Sequence, residues 1–255
     1  MFKELGIQLY TMRDSMQEPE GLRATFKRLK EMGYDHGQTA GCALPYEEFS
    51  RIAKEENFEI SGTHEDFDYL YNNTEEAIEK HKILDTKYMG IGGISWDYFD
   101  SREKFSEFCD KCNAICEKIK PHGMKFTYHN QSPEFRKLGN DIIMDLLLKN
   151  TDPEAFTICA DTYWIQYGGG EILYWLEKFA GRMDLLHLKD MKISRWDPEI
   201  TEIGNGTFRW REILKLAEDI GVKKIIVEQD GNWMDEDPFK SVKISADYLA
   251  QFLDR

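Results

Sequence analysis

The sequence is short of positive charge. Lysine and arginine together number 33, against 47 aspartates and glutamates, which gives a formal net charge of −14. A nucleic-acid surface usually needs a basic stripe, so this balance argues against such a partner. The chain also lacks an apolar run of the roughly 18 residues that a membrane span needs. Its first residues lack the charged-then-apolar order of a signal peptide. We therefore expect a cytoplasmic protein that binds neither nucleic acid nor membranes.

Cysteine is scarce as well, with five residues in a chain of 255. An odd number, without a recognisable signal peptide, predicts free thiols. Three of the five follow a C-x2-C-x3-C spacing that invites a metal site, but they lie on one face of an amphipathic helical pattern over residues 101–120. Buried thiols are therefore the favoured interpretation. The five cysteines are Cys42, Cys109, Cys112, Cys116 and Cys159.

What the chain does contain is a repeated unit: a short apolar run, then polar residues, then an amphipathic helical pattern. The predicted strands cover residues 5–9, 34–41, 58–63, 88–91, 124–128, 156–160, 182–191 and 223–227. The second of these is weak in apolar content and is predicted by its place in the series. Strict alternation of strands and helices predicts a parallel sheet. Eight units in about 250 residues predict an α/β fold, a single (β/α)8 TIM-barrel domain over residues 1–255, with a doubly wound sheet as the alternative.

Side chains with metal-binding or acid–base chemistry follow several of these apolar runs. In such a barrel the carboxyl ends of the strands form one rim, and active sites lie there. Four residues at the ends of strands five to eight fall on this rim: His129, Asp161, His187 and Glu228. Two imidazoles and two carboxylates form a nitrogen and oxygen ligand set that suits a divalent ion. The alternative is four separate polar groups that contact backbone and water.

The predicted chemistry follows from this ligand set. Four protein ligands leave room for substrate only on an ion with five or six partners, which favours Mn²⁺, Co²⁺ or Mg²⁺ over tetrahedral Zn²⁺, with Mn²⁺ first. Such an ion stabilises an enediolate while a base removes the proton beside a carbonyl. We assign Glu228 as ligand and base. His64 and Lys189 are auxiliary acid or base candidates, or else plain strand-end contacts, and Asp190 is a substrate or ligand contact. Residues 194–207 are predicted to form a lid.

Five segments in chain order resemble the sugar phosphate isomerase/epimerase superfamily, the xylose-isomerase-like barrels. They are GIQLYTMRD, FTYHNQ, CADTYWIQYGG, LLHLKD and IIVEQD, at strands one, five, six, seven and eight. The resemblance implies a TIM barrel whose metal is held at the ends of strands five to eight. Carried over by position, the ligands are the same four residues. It also implies a small carbohydrate as substrate, and a homo-oligomer is compatible with it.

The chain departs from the family pattern at the fifth strand, where many members have Glu and this chain has His129. A proton transfer shared between two glutamates is therefore in doubt, because only Glu228 of that pair is present. Many members also have an acidic residue near the second strand end, where Gln38 stands here. The VEQD and HLKD endings also resemble 2-keto-myo-inositol dehydratases.

Three functions follow from the resemblance and its departures. The first is a metal-dependent isomerase or epimerase of a keto-sugar or related polyol. The second is a lyase that dehydrates an inosose or cleaves a keto-glycoside, since one enolate serves both reactions. The third is a partner-dependent or non-catalytic subunit.

Overall fold

A computed structural model describes residues 2–41 and 43–254 of the chain, and Cys42 lies outside these ranges. Eight parallel strands form the central sheet. We number them β1 (Gly6–Gln8), β2 (His36–Ala40), β3 (Glu59–His64), β4 (Tyr88–Ile91), β5 (Lys125–His129), β6 (Phe156–Asp161), β7 (Met183–Leu188) and β8 (Lys224–Val227). The weak second strand is real, although Gly37, Gln38 and Thr39 give it little apolar content, because it pairs with β1 and β3 on both sides.

The sheet curls into a nearly closed barrel. Its order is β3-β2-β1-β8-β7-β6-β5-β4. The two end strands meet through one parallel bridge between Glu65 and Ile91, where the Glu65 amide donates to the Gly90 carbonyl at 2.8 Å. A Cβ atom at Gly90 would lie 2.0 Å from the Thr127 hydroxyl, so only glycine allows β4 and β5 to pack this closely. The predicted TIM barrel is confirmed, and the doubly wound alternative is wrong.

Helices cover the outside of the barrel. They are α1 (Pro19–Glu31), α2 (Tyr46–Glu55), α3 (Phe67–Asn72), α4 (Thr74–Leu84), α5 (Arg102–Ile119), α6 (Ile143–Asn150), α7 (Thr162–Tyr167), α8 (Ile172–Lys178), α9 (Trp210–Asp219) and α10 (Pro238–Leu249). Most of the apolar core lies between these helices and the strands. A separate small cluster is formed by Tyr88, Cys159, Leu185 and Ile226, one residue from each of β4, β6, β7 and β8. No helix among the described residues is both long and apolar enough to cross a bilayer.

The predicted free thiols are confirmed for the four cysteines that the structure describes. Cys109, Cys112 and Cys116 lie on the buried face of α5, and none of the four is in a disulfide. Burial raises the pKa of Cys109 and that of Cys116 to about 12. These thiols contribute to packing, as their helical spacing predicted.

The segment predicted as a lid has more structure than expected. After β7 the chain forms an antiparallel hairpin, with strands Asp190–Ser194 and Asp197–Thr201. Arg195 at its tip has a positive φ of 58°, and Trp196 beside it is 93% exposed. The predicted lid thus includes one strand of a regular hairpin, because each of the five residues of one strand pairs with a residue of the other.

Candidate active site

The four predicted ligands come together at the carboxyl ends of β5 to β8. One potential ligand atom from each of His129, Asp161, His187 and Glu228 lies within 4.8 Å of the other three. All four side chains are buried, and only His129 and Glu228 keep measurable exposure, at 4% and 7%. The structure therefore brings the four predicted residues together, at the rim where the parallel strands end.

Asp161 holds two positions at once, as the last residue of β6 and the N-cap of α7. Its Oδ1 accepts the Trp164 amide at 2.8 Å, which satisfies one of the free donors at the helix start. Its own amide donates to Oδ1 of Asn130 at 2.9 Å. The second carboxylate oxygen, Oδ2, is buried, has no hydrogen-bond partner among the described residues, and lies 3.5 Å from Nε2 of His129. The backbone thus fixes one oxygen and leaves the other directed at the cluster.

Glu228 follows β8, and three nitrogen atoms converge on its Oε2. His187 Nδ1 is 3.0 Å away, Lys189 Nζ 3.1 Å and His129 Nε2 3.7 Å. Burial alone would raise the pKa of Glu228, but that pKa lies well below its usual range, and the largest opposing influence is the positive charge of Lys189. Glu228 is therefore a carboxylate at neutral pH.

Lys189 is fully buried among three carboxylates. Its Nζ lies 2.5 Å from Oδ2 of Asp230 and 3.8 Å from Oδ2 of Asp161, in addition to the contact with Glu228. Burial would lower the pKa of Lys189, but the three negative charges raise it instead. Burial and the charge of Glu228 raise the pKa of Asp230. Lys189 is thus a charged hydrogen-bond donor, and its predicted use as a base is disfavoured.

Each histidine of the cluster has one ring nitrogen that faces away from the carboxylates and contacts an oxygen acceptor. His129 Nδ1 lies 3.2 Å from the Gly92 carbonyl, and His187 Nε2 lies 2.5 Å from Oε1 of Gln38. Each contact requires the imidazole to donate, so the other nitrogen of each neutral ring carries a lone pair that faces the carboxylates. A histidine ligand to a metal commonly donates its second ring nitrogen in this way.

These residues fit a divalent cation. In a neutral His187 the lone pair on Nδ1 faces the Glu228 carboxylate at 3.0 Å, and two acceptors at that distance repel each other unless a positive charge lies between them. Burial lowers the pKa of His187 despite the neighbouring Glu228, which favours the neutral ring. Nε2 of His129 and Oδ2 of Asp161 are buried without a hydrogen-bond partner among the described residues. A bound ion would satisfy all of these atoms.

His64 ends β3 and lies beside the cluster. Its ring is 5.2 Å from that of His129 and 5.5 Å from that of His187, centroid to centroid. Burial, followed by the two neighbouring histidines, lowers its pKa well below the ordinary value. His64 is therefore neutral and adjacent to the space where a substrate would meet the ion.

Asp190 was predicted to contact substrate or a ligand, and that prediction is wrong. Successive side chains of an extended chain point in opposite directions, so Asp190 lies on the other side of the backbone from His187 and Lys189. The hairpin of residues 190–201, which follows β7, is called the rim hairpin below. The Asp190 carboxylate accepts hydrogen bonds from the base of this hairpin and from the start of α9. The five donors are the amides of Met191, Gly204, Gly206 and Phe208 and the Trp210 indole.

Two residues that the sequence reasoning left out of the site belong to it. Asp230 contacts Lys189, and Gln38 contacts His187. The signal for Asp230 was its position two residues after Glu228, on the same side of the chain. The signal for Gln38 was a polar side chain in a barrel strand, at a position that the family resemblance had already marked as a departure.

Comparison with known proteins places the chain in a family. The model of the xylose isomerase-like TIM barrel family matches residues 26–251, and the chain belongs to this family. A sugar phosphate isomerase/epimerase from Parabacteroides distasonis superposes over 100% of this chain and 96% of its own, with a TM-score of 0.84 and 23% identity. A probable 3-DHS dehydratase from Bacillus anthracis superposes over 98% of this chain and 99% of its own, with a TM-score of 0.76 and 14% identity. At these identities the structures demonstrate a shared fold.

The curated relatives align with a smaller share of this chain than the solved structures do. An inosose dehydratase from Geobacillus thermodenitrificans is 27% identical over 145 residues, which is 54% of this chain and 46% of that protein. One from Salmonella typhimurium is 24% identical over 115 residues, 43% of this chain and 38% of that protein. The aligned part thus spans less than half the length of these relatives. The family and the composition of the site identify the chain as an enzyme.

Proposed function

We propose that the protein is a divalent-metal-dependent isomerase or epimerase of a keto-sugar or related polyol. The observation that carries this proposal is the convergence of four buried ligand atoms, within 4.8 Å of one another, from the ends of four consecutive barrel strands. An ion held by His129, Asp161, His187 and Glu228 would supply Lewis-acid polarisation of a carbonyl and stabilise the negative charge of an enediolate.

Glu228 is the proposed base. It is ionised at neutral pH, as a general base must be, and the contacts with His187 and Lys189 are to Oε2, so Oε1 is the oxygen proposed to take the proton. A proton taken from the carbon beside the carbonyl and returned to another face or carbon gives epimerisation or isomerisation. Lys189 is charged and lies 3.1 Å from Glu228, so it would stabilise the negative charge that develops on the substrate as the proton leaves.

The experiment uses metal-stripped protein with Mn²⁺ added back, a panel of ketopentoses, ketohexoses and inososes, and solvent D₂O. The proposal predicts deuterium in recovered substrate or product, together with loss of that exchange in Glu228→Gln. The matched control is Asp97→Asn, which removes an exposed carboxylate from the loop after β4. Exchange at the wild-type rate in Glu228→Gln would overturn the assignment of the base.

A lyase of the inosose dehydratase or keto-glycoside-cleaving type is the second candidate. Two observations favour it: His129 replaces one of the two glutamates expected for paired proton transfer, and curated inosose dehydratases match part of the chain. A product lighter than the substrate by one water or one aglycone would select this candidate, and its absence across the same panel would count against it.

The third function, a non-catalytic or partner-dependent subunit, makes the opposite prediction in the same experiments. It predicts no tightly bound divalent ion and no exchange on any substrate after Mn²⁺ is added. Metal analysis of the purified protein and the exchange assay together separate it from the two enzymatic candidates.

A further inference from the structure

Gln8, the last residue of β1, has its amide orientation fixed by the backbone. The side chain is fully buried, and its Oε1 lies 3.1 Å from the backbone nitrogen of Tyr10. A backbone N–H can only donate, so the Gln8 atom that faces it must be the carbonyl oxygen. The NH₂ group of Gln8 is therefore directed into the barrel.

The two N–H bonds of this NH₂ group have two acceptors. Gln8 Nε2 lies 3.0 Å from Oε1 of Gln38 and 3.3 Å from Nδ1 of His64. The first contact fixes the orientation of the Gln38 amide, because the atom that receives an N–H must be its oxygen. The second contact requires a lone pair on Nδ1 of His64.

The orientation of Gln38 determines the tautomer of His187. The same Oε1 that accepts from Gln8 lies 2.5 Å from Nε2 of His187. Because this oxygen cannot donate, His187 must carry its proton on Nε2. Nδ1 of His187 then keeps the lone pair that a metal ligand needs. Without this constraint, a proton on Nδ1 would form a direct hydrogen bond with Glu228, 3.0 Å away.

His64 is assigned the same tautomer as His187, but by a hydrogen bond of the opposite direction, from the Gln8 amide to the ring. Its Nδ1 accepts from Gln8, so the neutral ring carries its proton on Nε2. That nitrogen is buried and has no hydrogen-bond partner among the described residues. The side chain is 9% exposed, at the edge of the cluster. A buried donor of this kind is costly unless a bound group accepts from it.

We propose that Gln8 is a positioning residue that sets two histidine tautomers at once, making His187 a metal ligand through Nδ1 and His64 a neutral hydrogen-bond donor. The acceptor for His64 is an oxygen of the substrate, so His64 donates a hydrogen bond and does not act as a base. This inference rests on the proposed function for the identity of the ion and the substrate. The tautomers themselves are properties of the protein alone.

The assignment also distinguishes two groups of candidate ligands. His64, Cys159 and His187 form a second cluster whose ligand atoms lie within 4.8 Å of one another. A metal there would need a lone pair from His64, and in our assignment both nitrogens of that ring are used, since Nδ1 accepts from Gln8 and Nε2 carries a proton. The two tautomers therefore favour an ion bound by the other cluster, which consists of His129, Asp161, His187 and Glu228.

The test is long-range ¹H–¹⁵N NMR of metal-free protein labelled in histidine, at about pH 8.5, two units above the ordinary histidine pKa. His64→Gln and His187→Gln spectra assign the signals. We expect Nε2–H in both rings. A proton on Nδ1, or on both nitrogens, in either ring of the wild-type protein overturns the proposal.

Two variants then test the role of Gln8. Gln8→Glu keeps the acceptor for Tyr10 but removes both donors, so His64 should change to Nδ1–H and Mn²⁺ affinity should fall about 10–100-fold. Gln251→Glu is the matched control, because it makes the same change at an exposed side chain near the end of the chain; both tautomers and Mn²⁺ affinity should stay as in wild type. An unchanged His64 tautomer in Gln8→Glu overturns the proposal. If wild-type protein shows both Nε2–H tautomers but binds no divalent ion, the proposed function fails while the tautomer assignment stands.

Discussion

Replacement of Asp190 by Asn should remove a large part of the free energy of unfolding and leave the affinity for a divalent ion unchanged. The carboxylate is fully buried, and its Oδ2 accepts the amides of Gly204 and Gly206 and the Trp210 indole, at 2.9, 3.3 and 2.7 Å. Its Oδ1 accepts the amides of Met191 and Phe208, at 2.8 and 3.4 Å. These five bonds join the end of β7 to the base of the rim hairpin and to α9.

The magnitude follows from the number of donors that lose an acceptor. An Asn side chain at position 190 keeps one oxygen, which is best placed toward the three donors on the Oδ2 side. Its NH₂ group then faces the amides of Met191 and Phe208, so one buried and one partly buried donor lose the acceptor that Asp190 gave them. At about 1–3 kcal/mol for each unsatisfied group, the expected loss is roughly 2–6 kcal/mol. This is a large fraction of the roughly 5–15 kcal/mol that is typical of a folded domain.

Urea unfolding followed by circular dichroism measures this loss. Asp197→Asn is the matched control, because Asp197 lies on the same hairpin but is exposed, and we expect it to stay within about 0.5 kcal/mol of wild type. Divalent-ion affinity below the unfolding transition should be unchanged in Asp190→Asn. A wild-type unfolding midpoint combined with weaker ion binding would refute this reasoning and return Asp190 to the site.

Three further predictions test other parts of the structure. Burial lowers the pKa of His81 to about 4. The neutral ring therefore stabilises the fold fully above the unfolded pKa of about 6.5, and this contribution is lost as the pH falls toward 4. His81→Asn should flatten the pH dependence of the unfolding free energy in this window, and an unchanged slope would contradict the prediction. The thiols of Cys109, Cys112 and Cys116 should react with Ellman's reagent only in denaturant, and rapid labelling of native protein at these positions would show that they are accessible. Lys189→Met should bind Mn²⁺ at least roughly ten-fold more tightly by calorimetry, since a positive charge 3.1 Å from Glu228 is removed, while turnover falls; weaker binding would contradict the electrostatic role of Lys189.

Much of the fold could be predicted because an apolar run marks each of several strands and a polar residue marks its end. Each of the runs before His129, Asp161 and Glu228 is apolar enough to be a buried strand, and each ends on a polar residue. Parallel strands with helical crossovers place all such ends on one rim, so topology alone brings distant residues together. The rim hairpin was not predicted because its strands are short and mostly polar, and strict alternation of polar and apolar residues marks only the first of them, Asp190–Ser194.

The errors within the site have a different cause. Asp190 follows Lys189 directly, and adjacency in sequence suggested adjacency in space, whereas the two-residue period of extended chain sends the two side chains to opposite sides. The contact between Gln8 and Gln38 could not be predicted, because a hydrogen bond between two side chains 30 residues apart depends on strand register and on rotamers. The backbone bond that orients Gln8 is visible only in the folded chain.

The most direct test of the metal site is anomalous scattering from a crystal of the protein soaked in Mn²⁺. The account predicts a single strong peak inside the barrel rim, bound by His129 Nε2, Asp161 Oδ2, His187 Nδ1 and Glu228 Oε2. A peak between His64, Cys159 and His187, or no peak at the rim at a saturating Mn²⁺ concentration, would contradict it.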